Sequence, residues 1–162
     1  KVFDAPTDVF LDKENCVQPD LLFIAKERTS IITEKNIQGA PDLIIEIVSS
    51  TSIHRDTVEK KQLYARFGVK EFWLVYPDEE IIEIYVSKNN TFVLHQSFFK
   101  EDILQSALLK GFKINVNEIF YTSWCLNWKN IFWGYFSVFI LRPLLKHRPK
   151  LIGLLALPET IL

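Results

Sequence analysis

Three carboxylates and a lysine stand where they could do chemistry together. Glu46 interrupts an aliphatic run, LIIEIV over Leu43–Val48, that otherwise reads as a buried strand. Asp20, after Gln18-Pro19, heads a second apolar run. Asp56, Lys60 and Tyr64 follow at i, i+4 and i+8, which lines them along one helix face. Burying an unpaired carboxylate costs on the order of several kcal/mol, so Glu46 requires a basic side chain, a proton or a metal ion as its partner. If the strands carrying Asp20 and Glu46 are neighbours, the two acids converge and repel unless a cation lies between them. A hard cation such as Mg²⁺ takes one or two carboxylates and completes its shell with water and phosphate oxygens. Lys60, beside such a centre, could position water or stabilise charge developing on a phosphate. The same residues also fit plainer roles. Pro-Asp pairs, here at 19–20, 41–42 and 77–78, are common turn chemistry, and Asp42 reads as the lead-in turn of its strand. Asp56 and Lys60 also fit a simple helix ion pair.

These residues need a scaffold, and the hydrophobic pattern supplies one. Asp8–Asp12 alternates, Cys16–Ala25 is largely apolar, and Lys13-Glu14-Asn15 between them reads as a hairpin turn. Thr29–Gly39 reads as a loop with a short helical turn. After Leu43–Val48, Ser49-Ser50-Thr51-Ser52 offers N-caps, and the apolar positions Val58, Leu63, Tyr64 and Phe67 predict a helix over Ile53–Phe67 closed by Gly68. Phe72–Tyr76 predicts a buried strand, Ile81–Val86 and Thr91–Gln96 a hairpin around Lys88–Asn90, and Ile114–Val116 a last short strand. The predicted order is β-β-loop-β-α-β-β-β. It forms a mixed α/β sheet with one right-handed β-α-β crossover and a helix packed on the sheet.

The 162 residues are 48% hydrophobic and carry a formal net charge of −1, so no global basic field announces nucleic-acid binding. Residues 1–120 hold 14 Lys+Arg and 19 Asp+Glu, whereas residues 121–162 hold five basic residues and only Glu159. The expected division is a domain over 1–120 and an apolar, basic tail over 121–162. Ile131–Leu141 in that tail is shorter than the ~20 residues that span a bilayer, so no stable membrane span is expected. The tail reads as a non-native ending or as an interfacial or partner-binding segment. Cys16 and Cys125 show no metal-ligand spacing and read as thiols of a reducing, cytoplasmic compartment. His54, His95 and His147 likewise show no ligand spacing, and His54 reads as a solvated helix terminus.

From Pro41 to Pro77, PDLIIEIVSSTSIHRDTVEKKQLYARFGVKEFWLVYP resembles the signature of the Uma-two family, described as putative restriction endonucleases and common in cyanobacteria. That signature has Pro-Asp, an aliphatic strand carrying Glu, a Ser/Thr-rich turn, Asp-x-x-x-Lys-x-x-x-Tyr, Gly-Val and an aromatic strand. Gln18-Pro19-Asp20 matches its preceding strand, DAPTDVFLD its upstream hairpin and LLKGFKINVNEIF its closing segment, so the likeness covers about residues 3–120. The family normally has Asp before the Pro that ends the aromatic strand, where this chain has Tyr76. It also has an N-terminal helical segment with no counterpart here. With no Met in the sequence, the chain is expected to be truncated at its N-terminus.

The family is similar to the PD-(D/E)XK nuclease superfamily. The resemblance implies a restriction endonuclease-like fold and a Mg²⁺- or Mn²⁺-dependent phosphodiesterase acting on DNA, with Asp20 and Glu46 as metal ligands. The superfamily lysine usually sits two residues after the acid, where this chain has Val48, so Lys60 is the matching candidate and Lys61 the fallback. Asp56 and Tyr64 support the site. A homodimer is one assembly open to it. The competing expectation is the same fold as an inactive remnant or a module that binds nucleic acid or protein.

Overall fold

Leu43–Ile47, whose five residues are all buried, must lie inside a sheet, and it does. The structure, a computed structural model, describes residues 1–49 and 54–120; the apolar tail, Cys125 and His147 lie outside the described residues. The strands are β1 (Val2–Asp4), β2 (Val9–Phe10), β3 (Cys16–Val17), β4 (Leu21–Phe23), β5 (Ile37–Gln38), β6 (Leu43–Ile47), β7 (Glu71–Tyr76), β8 (Ile81–Lys88), β9 (Thr91–Phe98), β10 (Ile103–Gln105) and β11 (Lys113–Asn115). The helices are α1 (Lys61–Arg66) and α2 (Val116–Phe120), with a 3-10 turn over Lys26–Ile31 and a π-helical segment over Arg55–Lys60. Six strands form the main sheet in the order β1-β4-β6-β7-β8-β9. Only β6 and β7 pair in parallel within it, as the crossover predicted.

Period-two alternation gives the sheet two apolar faces. Leu43, Ile45 and Ile47 of β6 face a core shared with Trp73, Val75, Ile82 and Ile84, closed by Leu104, Phe112, Ile114 and Ile119. Ile44 and Val48 face the other core, with Leu22, Phe72, Leu74 and Tyr64 of α1, and with Val9 and Ile37 of the small sheet β3-β2-β5. Glu46 lies between Ile44 and Val48 on this second face, the one α1 covers. Gly68 has φ +82° after α1, the left-handed conformation that ends a helix at low cost. Asn89 and Asn90, both with positive φ, make the two-residue turn between Lys88 and Thr91. Among the described residues no helix is long and apolar enough to cross a membrane.

Several expectations need correction. The apolar run Cys16–Ala25 is two strands, not one. β3 completes the predicted hairpin with β2, while β4 leaves it to pair with β1 and β6. The break falls at Gln18-Pro19-Asp20, because a proline cannot donate to the ladder. The predicted regular helix opens in π geometry, and Val58, expected in its apolar face, is 40% exposed. The wider π turn rotates residues away from α-helical spacing. Asp42 does lie in the bend that leads into β6, but it is more than a turn residue. It is fully buried at the foot of β6, where Arg28 (3.0 Å) and Lys70 (2.7 Å) pair with it and the Ala25 amide donates to it at 2.8 Å.

Candidate functional site

The register of β4 against β6 builds the centre. Leu21 lies opposite Ile45, so one further antiparallel step sets Asp20 opposite Glu46. By alternation Asp20 shares the face of Leu22, and the two carboxyls lie close enough for the Asp20 charge to act on Glu46. Asp20 Oδ2 also accepts the Ile47 amide at 2.7 Å, which fixes it across the strand gap. The sequence expectation that these acids converge is met because Pro19 ends β3 and lets Asp20 enter a different sheet.

The helical segment supplies the rest from above. Lys60 Nζ donates to Glu46 Oε2 at 2.7 Å, and the Tyr64 hydroxyl donates to Glu46 Oε1 at 2.6 Å. Each oxygen of the buried carboxyl therefore has its own donor, which answers the cost of burying it. Lys60 Nζ also lies 2.9 Å from Asp56 Oδ1, and Asp56 is 2% exposed. The contact is an ion pair without hydrogen-bond directionality, for that oxygen has no hydrogen-bond donor aligned with it. Tyr64 is held in turn by the edge-on ring of Phe72, 5.5 Å away between centroids.

The electrostatics follow from three acids around one ammonium. Burial raises the Glu46 carboxyl; Lys60 pulls it down, the Asp20 charge pushes it up again, and it comes to rest at about 7. Asp20 is also raised, chiefly by burial, against the Ile47 amide and Lys60, which lower it. Burial works against the Lys60 charge, but Glu46 and Asp56 outweigh it and hold the ammonium above its ordinary value. The Tyr64 phenol is pushed far up by burial and by Glu46, so it stays a donor.

Lys61 does not join this centre. Adjacent helical residues point ~100° apart, and its ammonium sits 3.4 Å from the centroid of the Tyr85 ring. His54 is exposed, with Nδ1 3.6 Å from Glu59. The sequence reading missed two buried carboxylates. Asp42 is described above. Glu71 accepts from Trp73 Nε1 (2.6 Å), Ser106 Oγ (2.7 Å) and the Leu108 amide (2.6 Å), tying the segment after β10 to the sheet. Its one sequence signal was a charge directly before the FWLVY strand.

A divalent cation can be tested against this donor set. Among the described residues no group of three or more His, Cys, Asp or Glu is arranged as a protein cage for a metal. Two carboxyls facing each other across β4 and β6 and acting on each other's charge do fit a hard cation that needs only one or two of them. Burial raises both, with the Asp56 charge adding to Asp20 and the Asp20 charge adding to Glu46, a crowding of acids that a cation between them would relieve.

Comparison with known proteins places the chain in a family. No curated protein sequence matches the chain. Among solved structures, the fold is similar to that of "a putative nuclease belonging to DUF820" from Anabaena variabilis ATCC 29413. The TM-score is 0.59, with 17% identity, over 74% of this chain and 67% of that one. At that identity the likeness speaks for the fold, here the mixed α/β sheet with its crossover helix. A family model described as "Putative restriction endonuclease" matches residues 1–117, well over half of the sequence, and the chain belongs to that family, Uma-two.

Proposed function

We propose that the chain is a nuclease domain that hydrolyses DNA phosphodiester bonds with a divalent cation, Mg²⁺ or Mn²⁺, at Asp20, Glu46 and Lys60. The observation that carries this reading is the cross-strand meeting of Asp20 and Glu46 under the Lys60 ammonium. Asp20 and Glu46 would hold the cation. When bound, it supplies Lewis-acid polarisation of the scissile phosphoryl group and offsets its charge.

The chain's own residues do the remaining work. Tyr64 fixes the Glu46 carboxyl and the Ile47 amide fixes that of Asp20. Lys60 is held charged by Glu46 and Asp56, and its side chain keeps 13% exposure. It can donate to a phosphate oxygen or orient the attacking water, while Asp56 pairs with the same ammonium at 2.9 Å. Water adds to phosphorus and gives its proton to solvent, while the bond to one ester oxygen breaks, that oxygen leaving with the bonding pair and taking up a proton from solvent.

Incubating supercoiled plasmid with the protein in Mg²⁺ or Mn²⁺, beside an EDTA control, tests this reading. Nicked or linear product that disappears in EDTA supports it. Binding without cleavage in either metal would favour the alternative, a remnant or binding module of the same fold, for which Lys60 and Tyr64 already occupy both Glu46 oxygens.

A further inference from the structure

Beside the acidic centre lies a second polar group that the hydrolytic reading leaves unused. Glu46, Leu74 and Glu83 form one cross-strand row through β6, β7 and β8, so Glu83 shares the helix-covered face. Its Oε2 accepts from the Tyr85 hydroxyl at 2.7 Å and the Tyr76 hydroxyl at 3.2 Å. Lys61 rests on the Tyr85 ring. The two consecutive lysines thus have different fates. Lys60 is committed to two carboxylates at 2.7 and 2.9 Å, whereas no carboxylate among the described residues lies within the 4.0 Å ion-pair distance of Lys61.

A polyanionic substrate approaching this face meets three carboxyls balanced by one buried ammonium. It needs an uncommitted cation at the rim. We propose that Lys61 is a contact to the phosphate backbone of the nucleic-acid strand bound at the Asp20–Glu46 centre. The proposal rests on the nuclease reading above. Lysine suits the task as a compact point charge with three donors on a flexible stem. The Tyr85 ring, held by its hydroxyl on Glu83, is the resting place of that charge when no phosphate is present. A contact of this kind carries no sequence information.

The test is duplex binding by the full chain in Ca²⁺, followed by fluorescence anisotropy over a salt series. The chains compared are wild type, Lys61→Gln, Lys61→Arg and a control, Lys110→Gln. Lys110 lies in the exposed turn between β10 and β11, beside the opposite core. Loss of one phosphate contact makes the slope of log K against log salt less negative by about 1 and weakens all duplex sequences alike. That change in Lys61→Gln, with the wild-type slope in Lys61→Arg and Lys110→Gln, supports the proposal. A wild-type slope in Lys61→Gln overturns it, and so does an equal change in Lys110→Gln, which would reflect overall charge. Failure of the wild type to bind any duplex overturns the nuclease reading and this inference with it.

Discussion

Replacing Glu46 by Gln removes one titrating group from the middle of the sheet and should alter how stability depends on pH. In the folded chain the Glu46 carboxyl is raised from 4.5 to about 7, first by burial and then by Asp20. The folded state therefore keeps a proton that the unfolded state releases. Its stabilising effect is complete below pH 4.5 and is lost as pH rises through about 7. At ~1.4 kcal/mol for each pH unit of separation, the loss over that window is about 3 kcal/mol. The Gln variant lacks this proton. It also disturbs the contacts with Lys60 and Tyr64, but by an amount that changes little with pH, so the difference between the two stability curves isolates the carboxyl. Asp20 acts on Glu46 and is raised as well, so the step belongs to the pair. Urea unfolding at several pH values from 4.5 to 8.5, with EDTA present, reads it directly. With a denaturant slope of ~2 kcal/mol/M, the wild-type midpoint should fall by about 1.5 M relative to that of Glu46→Gln. A difference that stays constant across this range would refute the assignment of Glu46 as a buried, raised carboxyl.

Two further substitutions separate the roles of the charged groups. Lys60→Met should reduce single-turnover DNA cleavage by at least ~100-fold, the scale of losing one preorganised donor to a developing charge. Lys61→Met should not reproduce that loss, and rate measurements on both variants check the choice between neighbouring lysines. At the far end of β6, Asp42→Ala strips Arg28 and Lys70 of their shared partner and leaves the Ala25 amide without its acceptor. The cost should be about 3 kcal/mol, at the lower end for a broken buried pair because both cations can reach solvent, and chemical denaturation measures it. Burial pushes the Asp42 carboxyl up, but the Ala25 amide, Lys70 and Arg28 outweigh it and leave it below its usual value. The Asp42 contribution should therefore be intact at neutral pH and fade as pH falls through the carboxylate range.

Where one local pattern governed, the sequence was readable. The LIIEIV run, the turn at Gly68 and the Asn89-Asn90 hairpin each carry their own signal, and all three are found where expected. The pairing of Asp20 with Glu46 is less local. It depends on β4 abandoning its hairpin for β6, which Pro19 permits but no periodicity encodes. The convergence could be posed from the sequence only as a condition on strand order. The π segment was invisible because Val58, Leu63 and Tyr64 keep nearly helical spacing, while the widened turn re-aims Val58 outward. Short strands such as β1 and β5, at two or three residues, contain too few alternations to register. No local pattern marked Asp42 or Glu71 as buried, because apart from Trp73 their partners lie 14 to 37 residues away in the chain. Their neutralisation is a tertiary fact.

The central claim is that Asp20 and Glu46 act as one cation-holding pair in a DNA hydrolase. It is tested most directly by plasmid cleavage rates in Mg²⁺ or Mn²⁺ for the wild type, Asp20→Ala and Glu46→Ala, each purified identically and confirmed folded. The account predicts metal-dependent cleavage by the wild type and near-complete loss in both variants. Equal cleavage by all three chains would contradict it.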